Sequence, residues 1–326
     1  MVTMRDIAAL FNVSVATVSR VLNGQTNPQG HTAQRILRAA REMGYFPNAA
    51  ARTLKTNRSF NLGILYEDEI HHEYFSLLIE SIRTAAEACG YDITFLHRSA
   101  KVSYLEYARH RGLDGVIVLQ ATFDSPEVLQ LVSDSLPCVA IDYEYACCSC
   151  VVSDHYHGIY QLVKHAAEMG HRKIAYVHGQ DGYITAKRVA AFFQACAELG
   201  LTVPPGYIQP GAYHDPAAAA LATDRLLALD NRPSCILYSD DYSCLGAIAR
   251  LEKRGVSIPR DIAIAGYDGI MLSTVLRPRL TSYRQDVQTK GKEAVRLLIE
   301  SIEAPPHLRK PVLQVVKGEL QAGGTC

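Results

Sequence analysis

Apolar positions change period along this chain, and the change marks where one kind of structure gives way to another. Over the first stretch they recur at helical spacing. Met4, Ile7, Ala8 and Phe11 share one face, Val18, Val21 and Leu22 a second, and Ile36, Leu37 and Ala40 a third. Each run carries its own punctuation. Thr3, with Asp6 three residues on, gives a capping-box-like start to a helix from about Met4 to Phe11, and Asn12 tolerates the left-handed conformation that ends it. Ser14 caps a second helix, roughly Val15 to Leu22, and a third runs from about Ala33 to Met43 and stops at Gly44. Two helices joined by a short turn and braced by a third predict a helix-turn-helix head.

From Asn61 the pattern becomes an alternation of short β-rich runs and amphipathic helices. Leu62–Tyr66, Asp92–Leu96, Gly115–Leu119 and Cys138–Ile141 read as strands, separated by helical patterns near Phe75–Cys89, Tyr104–Arg111 and Pro126–Ser133. A second series follows: strands at Lys173–His178, Cys235–Tyr238 and Ile262–Ala265, and helices near Ala186–Leu199, Pro216–Leu229 and Tyr242–Lys253. Repeated strand–helix units predict parallel sheets covered on both faces, and two series predict two similar lobes.

Charge sharpens this division. The chain has 33 basic and 33 acidic residues. Residues 1–58 hold eight basic residues against two acidic ones, a balance of +6, so the remainder stands at −6. A basic head on an acidic body concentrates attraction to phosphate in one place. No apolar run approaches membrane-spanning length and the first residues do not resemble a signal peptide, so a cytoplasmic protein without membrane contact is expected. Three of the nine cysteines bunch as Cys147, Cys148 and Cys150, but no second Cys/His pair follows at zinc-like spacing. Reduced thiols are expected there, with no metal and no cofactor.

In a helix-turn-helix the second helix enters the major groove with its N-terminal end. Val15 and Ala16 suit apolar contact with a thymine methyl, and Arg20, one turn on, suits a guanine edge or a phosphate. Thr17, Ser19 and the amides near Ser14 suit phosphate. These residues, from Met4 to Asn23, together with the segment from Gly44 to Leu54, resemble the head and hinge of the lactose/galactose-repressor (LacI/GalR) family of bacterial transcription regulators. The resemblance implies a hinge helix at about 48–56 that folds on DNA, with Leu54 wedged into the minor groove of a pseudo-palindromic operator by a homodimer. Thr3, Asn23, Ala51 and Lys55 complete the DNA-contacting set that it implies.

The resemblance extends over the body. Gly170–Ala175, Arg188 with Phe192, Gly266-Tyr267-Asp268 and Pro278–Ser282 with Gln285 match landmarks of that family's periplasmic-binding-protein-like sensor. The implied architecture is a small all-α head and hinge helix (1–58) joined to a two-lobed α/β sensor (59–326). Lobe one would comprise about 60–153 plus 286–316, and lobe two about 154–285 plus the tail. Ligands of such sheets sit beyond the carboxyl ends of the strands, here between the lobes. Carried over by position, the pocket comprises Tyr74, Phe75, Asp142, Arg188, Asp240, Asp268 and Gln285. Asp240 departs from the asparagine frequent there and equally suits a helix cap. Aromatic faces with carboxylate, amide and guanidinium groups suit a sugar, and three acids against one arginine disfavour a phosphorylated one.

The expectation is therefore a sugar-released repressor of carbohydrate-utilisation genes. The alternative is the same regulator with a nucleobase or other metabolite as co-repressor. A solute-binding protein without a DNA role fits poorly with the intact head. No phosphate-loop or nucleophile–base pattern points to an enzyme.

Overall fold

The structure is a computed structural model that describes residues 2–22, 30–45, 56, 58–67, 72–97 and 102–326. It divides into two compact units, 1–60 and 61–326. In the first, α1 (Met4–Phe11) opens on a capping box in which the Thr3 side chain accepts from the Asp6 amide while Asp6 accepts from Thr3. Asn12, at φ 52°, ends α1 in the left-handed region. The Ser14 hydroxyl then accepts from the Thr17 amide at 3.0 Å and starts α2 (Val15–Leu22). The third helix, α3 (His31–Glu42), begins two residues before the expected start and turns out through Gly44, whose φ of +68° suits glycine. Ile7, Val18 and Ile36 are fully buried and join the three helices through one small core, with Leu37 packed at its margin.

The second unit holds two six-stranded sheets. The first half of its chain runs β1 (Asn61–Tyr66), α4 (Glu73–Ala88), β2 (Asp92–Leu96), α5 (Tyr104–His110), β3 (Gly115–Gln120), α6 (Pro126–Ser133), β4 (Cys138–Ile141) and β5 (Ser149–Ser153). The second half runs α7 (His155–Glu168), β6 (Ile174–His178), α8 (Tyr183–Glu198), β7 (Ile208–Pro210), α9 (Pro216–Leu227), β8 (Cys235–Tyr238), α10 (Asp241–Lys253), β9 (Ala263–Asp268), α11 (Met271–Val275) and β10 (Thr281–Arg284). Then α12 (Val287–Glu303) returns to pack on α4, and β11 (Leu313–Val316) and β12 (Glu319–Gln321) close the chain's path.

Strand order is β11-β5-β4-β3-β1-β2 in one sheet and β12-β10-β9-β8-β6-β7 in the other, so each sheet repeats one topology. All pairs in the first are parallel, and in the second only β12 runs antiparallel. The central strands β3, β4, β8 and β9 are buried almost throughout, as apolar runs between two helical layers must be. The chain passes between the lobes three times: after Ser153, after Arg284 and after Val316. In both sheets the first and third strands are neighbours, so the helices after them leave on opposite faces and open a crevice at the strands' carboxyl ends. Among the described residues no helix is long and apolar enough to cross a membrane.

Candidate functional site

The head presents a polar face on α2. Val15, Ala16 and Arg20 are exposed, and Val15 retains 41% of its surface in the open although it is apolar. Val18 and Val21 point the other way into the core. Ser14 and Thr17 hydroxyls lie 2.9 Å apart at the N-terminal end of α2, where backbone amides also point outward. Ser19 is half-buried and Thr3 is committed to its capping box. Asn23, Ala51, Leu54 and Lys55, with most of the expected hinge, lie outside the described residues.

In the second unit the strand ends of both lobes enclose a cavity of about 340 Å³. Lobe one contributes Tyr74 and Phe75 from the start of α4, Phe123 after β3, and Asp142 and Tyr143 after β4. Lobe two contributes Tyr183 and Arg188 from α8, Tyr213 and His214 after β7, and Asp268 at the end of β9. Gln285 stands at the second crossover. Phe123 stacks on Tyr143 at 4.6 Å, and Tyr143 meets Tyr183 of the other lobe at 4.7 Å. Six of the expected seven pocket residues line this cavity.

Asp240 does not. It is fully buried and its carboxylate accepts from the amides of His214 and Ser243 and the hydroxyls of Ser239 and Ser243. By accepting from Ser243 the Asp240 carboxylate caps α10, and by accepting from the His214 amide it anchors the loop that carries His214. Burial opposes its ionisation, but its His214 and Ser243 contacts outweigh that and hold its carboxyl well below the usual range.

Asp142 is not a free acid either. Lys290, fully buried on α12, donates to Asp142 at 2.7 Å, to the Tyr74 hydroxyl at 2.7 Å, and to Ser153 and Gln285. Burial alone would raise the Asp142 pKa, yet the adjacent Lys290 charge brings it well down. Burial likewise lowers the pKa of Lys290, and Asp142 works against that shift. The expected excess of three acids over one arginine is thus removed: one acid is paired by Lys290 and one is enclosed as a cap.

Arg188 is the cation that faces the cavity, at 4% exposure. Its guanidinium lies 3.8 Å from the Tyr267 ring centre and donates to the Ser239 carbonyl at 2.9 Å. A longer contact reaches Nδ1 of His155 at 3.4 Å, and no carboxylate ion pair holds it among the described residues. Asp268 adopts φ +98° and accepts from Gln285 at 2.7 Å, and burial raises its pKa. Gln285 in turn accepts from Ser153 of lobe one, so one amide contacts both lobes. Further contacts bridge them: Tyr183 and Lys187 to Glu144, the Met271 amide to Glu73, and the His72 ring against His214.

Residues 3–48 match the model of the bacterial regulatory proteins of the lacI family, and residues 163–326 match that of the periplasmic binding protein-like domain. The chain is 32% identical over 310 residues to the HTH-type transcriptional repressor PurR of Haemophilus influenzae (strain PittEE), covering 93% of this chain and 91% of that one. Identity to the PurR repressor of Aliivibrio salmonicida (strain LFI1238) is 30%, covering 95% of each. The chain belongs to the lacI family of bacterial regulators. Among solved structures it is similar to a transcriptional regulator CelR–cellobiose complex (TM-score 0.72, 25% identity, all of both chains). The Lac repressor bound to ONPG in its repressed state has the same fold (TM-score 0.81, 22% identity, 100% of this chain and 99% of that one).

As a lacI-family member the chain is a DNA-binding transcriptional repressor and not an enzyme. No local pattern marked the lining residues His214, Phe123, Tyr143 and Tyr183, or His72 and Lys290, which contact lining residues. For Lys290 only burial was signalled. Its spacing to Ala294, Leu297 and Leu298 puts it on the buried face of α12.

Proposed function

We propose that this repressor acts as a homodimer on a pseudo-palindromic operator and that its effector is a flat nucleobase-class compound serving as co-repressor. One observation carries the effector reading: a buried arginine without a carboxylate partner, set in a cavity walled by aromatic rings. Tyr74, Phe75, Phe123, Tyr143 and Tyr213 offer faces for stacking. Arg188 offers paired donors to adjacent carbonyl and ring-nitrogen acceptors, the geometry by which a guanidinium holds an oxidised purine edge. Asp268 and Gln285 supply acceptors and a donor for ring N–H and N groups. The similarity to PurR repressors supports this reading over the carbohydrate one. On the DNA side, Arg20 with Val15 and Ala16 reads base edges, and Leu54 of each hinge wedges the central minor groove.

Calorimetry of the full-length protein with nucleobases, nucleosides, mono- and disaccharides tests the effector. A nucleobase should bind, and Arg188→Met should weaken it by roughly 10- to 100-fold, the worth of charge-assisted hydrogen bonds. The same base should tighten binding to an operator selected from random duplexes. Binding of a sugar with no response to any base would overturn the effector assignment. Release of the operator by the base would reverse its sign. Retained bending of that operator by Leu54→Ala would remove the wedge.

A further inference from the structure

At the edge of the cavity three side chains converge that belong to different lobes. His72 caps α4 in lobe one, whereas His214 and Asp268 are in lobe two. One nitrogen of each imidazole and a carboxylate oxygen of Asp268 lie within 4.8 Å of one another. Among the described residues no other three His, Cys, Asp or Glu side chains gather in this way. The two rings face each other with centres 3.5 Å apart. Nε2 of His72 is buried with no hydrogen-bond partner, a costly arrangement for a polar atom unless something binds there.

We propose that His72, His214 and Asp268 bind a divalent transition-metal ion of the zinc class, and that the ion clamps the two lobes together. Two imidazoles and a carboxylate are a ligand set zinc accepts, and three protein ligands leave a fourth position open to the cavity. Nδ1 of His214 stands 3.6 Å from Asp240, too long for a hydrogen bond but close enough for the carboxylate to orient the ring, which leaves Nε2 to face the ion. At His72 the Tyr74 amide points at Nδ1 from 3.3 Å, which places the ring proton on Nε2. Coordination therefore moves that proton to Nδ1 and gives up this long capping contact. Metal–ligand distances of about 2.0–2.2 Å require the three atoms to draw in by roughly an ångström. Two of them belong to the other lobe, so drawing in narrows the cleft. Asp240 lies behind the His214 ring as a carboxylate partner, while Asp142 is already paired by Lys290 and takes no part in the site. The ion thereby stabilises the lobe arrangement described here over a more open one.

Metal binding is measured without any effector, so its outcome is independent of the effector reading. Full-length protein stripped by a chelator is titrated with ZnCl2 against a chromophoric chelator, and with CoCl2 by absorption spectroscopy. One ion per chain is expected, with a cobalt spectrum of nitrogen and oxygen ligands and no thiolate charge transfer. His72→Ala and His214→Ala should each weaken binding at least 100-fold with unchanged circular dichroism. A variant with serine at positions 147, 148 and 150 should bind as the parent does. Absence of binding, binding that survives loss of both histidines, or binding lost with those cysteines would overturn the proposal. If a histidine variant fails to fold, carbethoxylation of the unaltered protein decides the matter. One equivalent of ZnCl2 must protect His72 and His214, and equal labelling with and without it would also overturn the site.

Discussion

Replacing Lys290 by methionine isolates the buried charge at the core of lobe one. Methionine matches the length of the lysine stem and keeps its packing, so the change removes chiefly the ammonium. Lys290 is fully buried, and its ammonium serves Asp142, Tyr74, Ser153 and Gln285. Asp142 would keep the Tyr74 hydroxyl at 3.1 Å and the Ser153 amide at 2.8 Å but lose its counter-charge. Breaking a buried pair by deleting one partner costs about 3–5 kcal/mol, because the remaining charge is stranded. Urea unfolding at neutral pH, followed by tyrosine fluorescence in a chain without tryptophan, should show a loss of that size. The Lys290→Met/Asp142→Leu double variant should recover at least half of it. The pH signature is more specific. In the parent the Asp142 pKa is depressed, so its contribution is present above the unfolded value near 3.9 and is lost as pH falls below it. In the variant burial raises that pKa above the unfolded value, so acidification from pH 7 should restore stability. A loss below about 1 kcal/mol, or no recovery in the double variant, would refute the account of Lys290 as the charge that holds Asp142 ionised.

Arg20→Ala should lower operator affinity and relax preference at one base position by roughly 1–3 kcal/mol in a competition assay. A uniform loss on all duplexes would make Arg20 a phosphate contact only. His155 is buried, chiefly by desolvation its pKa falls to about 3, and it remains neutral in the folded state. Its contribution is complete above the unfolded value near 6.5 and is lost as pH falls towards 3, by about 1.4 kcal/mol per unit. Urea midpoints at pH 7.5 and 5.5 should therefore fall more steeply for the parent than for His155→Gln. Gly246 in α10 lies against the Pro216 carbonyl at the start of α9, and a Cβ there would overlap it. Gly246→Ala should cost about 1–3 kcal/mol or more through separation of the two helices, read as a lowered melting temperature.

Features whose causes are local were legible in the sequence. The Thr3–Asp6 box, the left-handed Asn12, the Ser14 cap and the Gly44 exit all act within a few residues, and α1 and α2 have the expected bounds. Strands β1 to β4 and β8 also stood out as apolar runs between turn signals. Strand β5 was hidden by its cysteines and serines, although all five of its residues are buried. Asp142 and Asp268, placed by the family resemblance at strand ends, do line the cavity. The site was not readable where roles depend on distant partners. Lys290 meets Tyr74 across 216 positions and Asp142 across 148, so no local pattern marks Asp142 as paired. Asp240 shows the same limit. Its alternative role as a helix cap is the one the structure shows, whereas the loop that brings the His214 amide to its carboxylate lies 26 residues upstream and left no local sign.

The short segment after α12 has a consequence for how the protein comes into being. It gives β11 to one sheet and β12 to the other, and it buries Thr325 and Cys326 against strands laid down much earlier. The sheet of lobe one, begun at Asn61, is completed only at Val316. Neither lobe is thus a contiguous stretch that can finish by itself as the ribosome releases it. The small core of the head joins side chains between Val2 and Tyr45 and can form as soon as that stretch emerges, while both halves of the sensor wait for the same late strands. A break in translation or a proteolytic nick near residue 312 would strip an edge from each sheet together. What remained would be a folded DNA reader attached to a sensor with two open flanks, prone to pairing with its own kind.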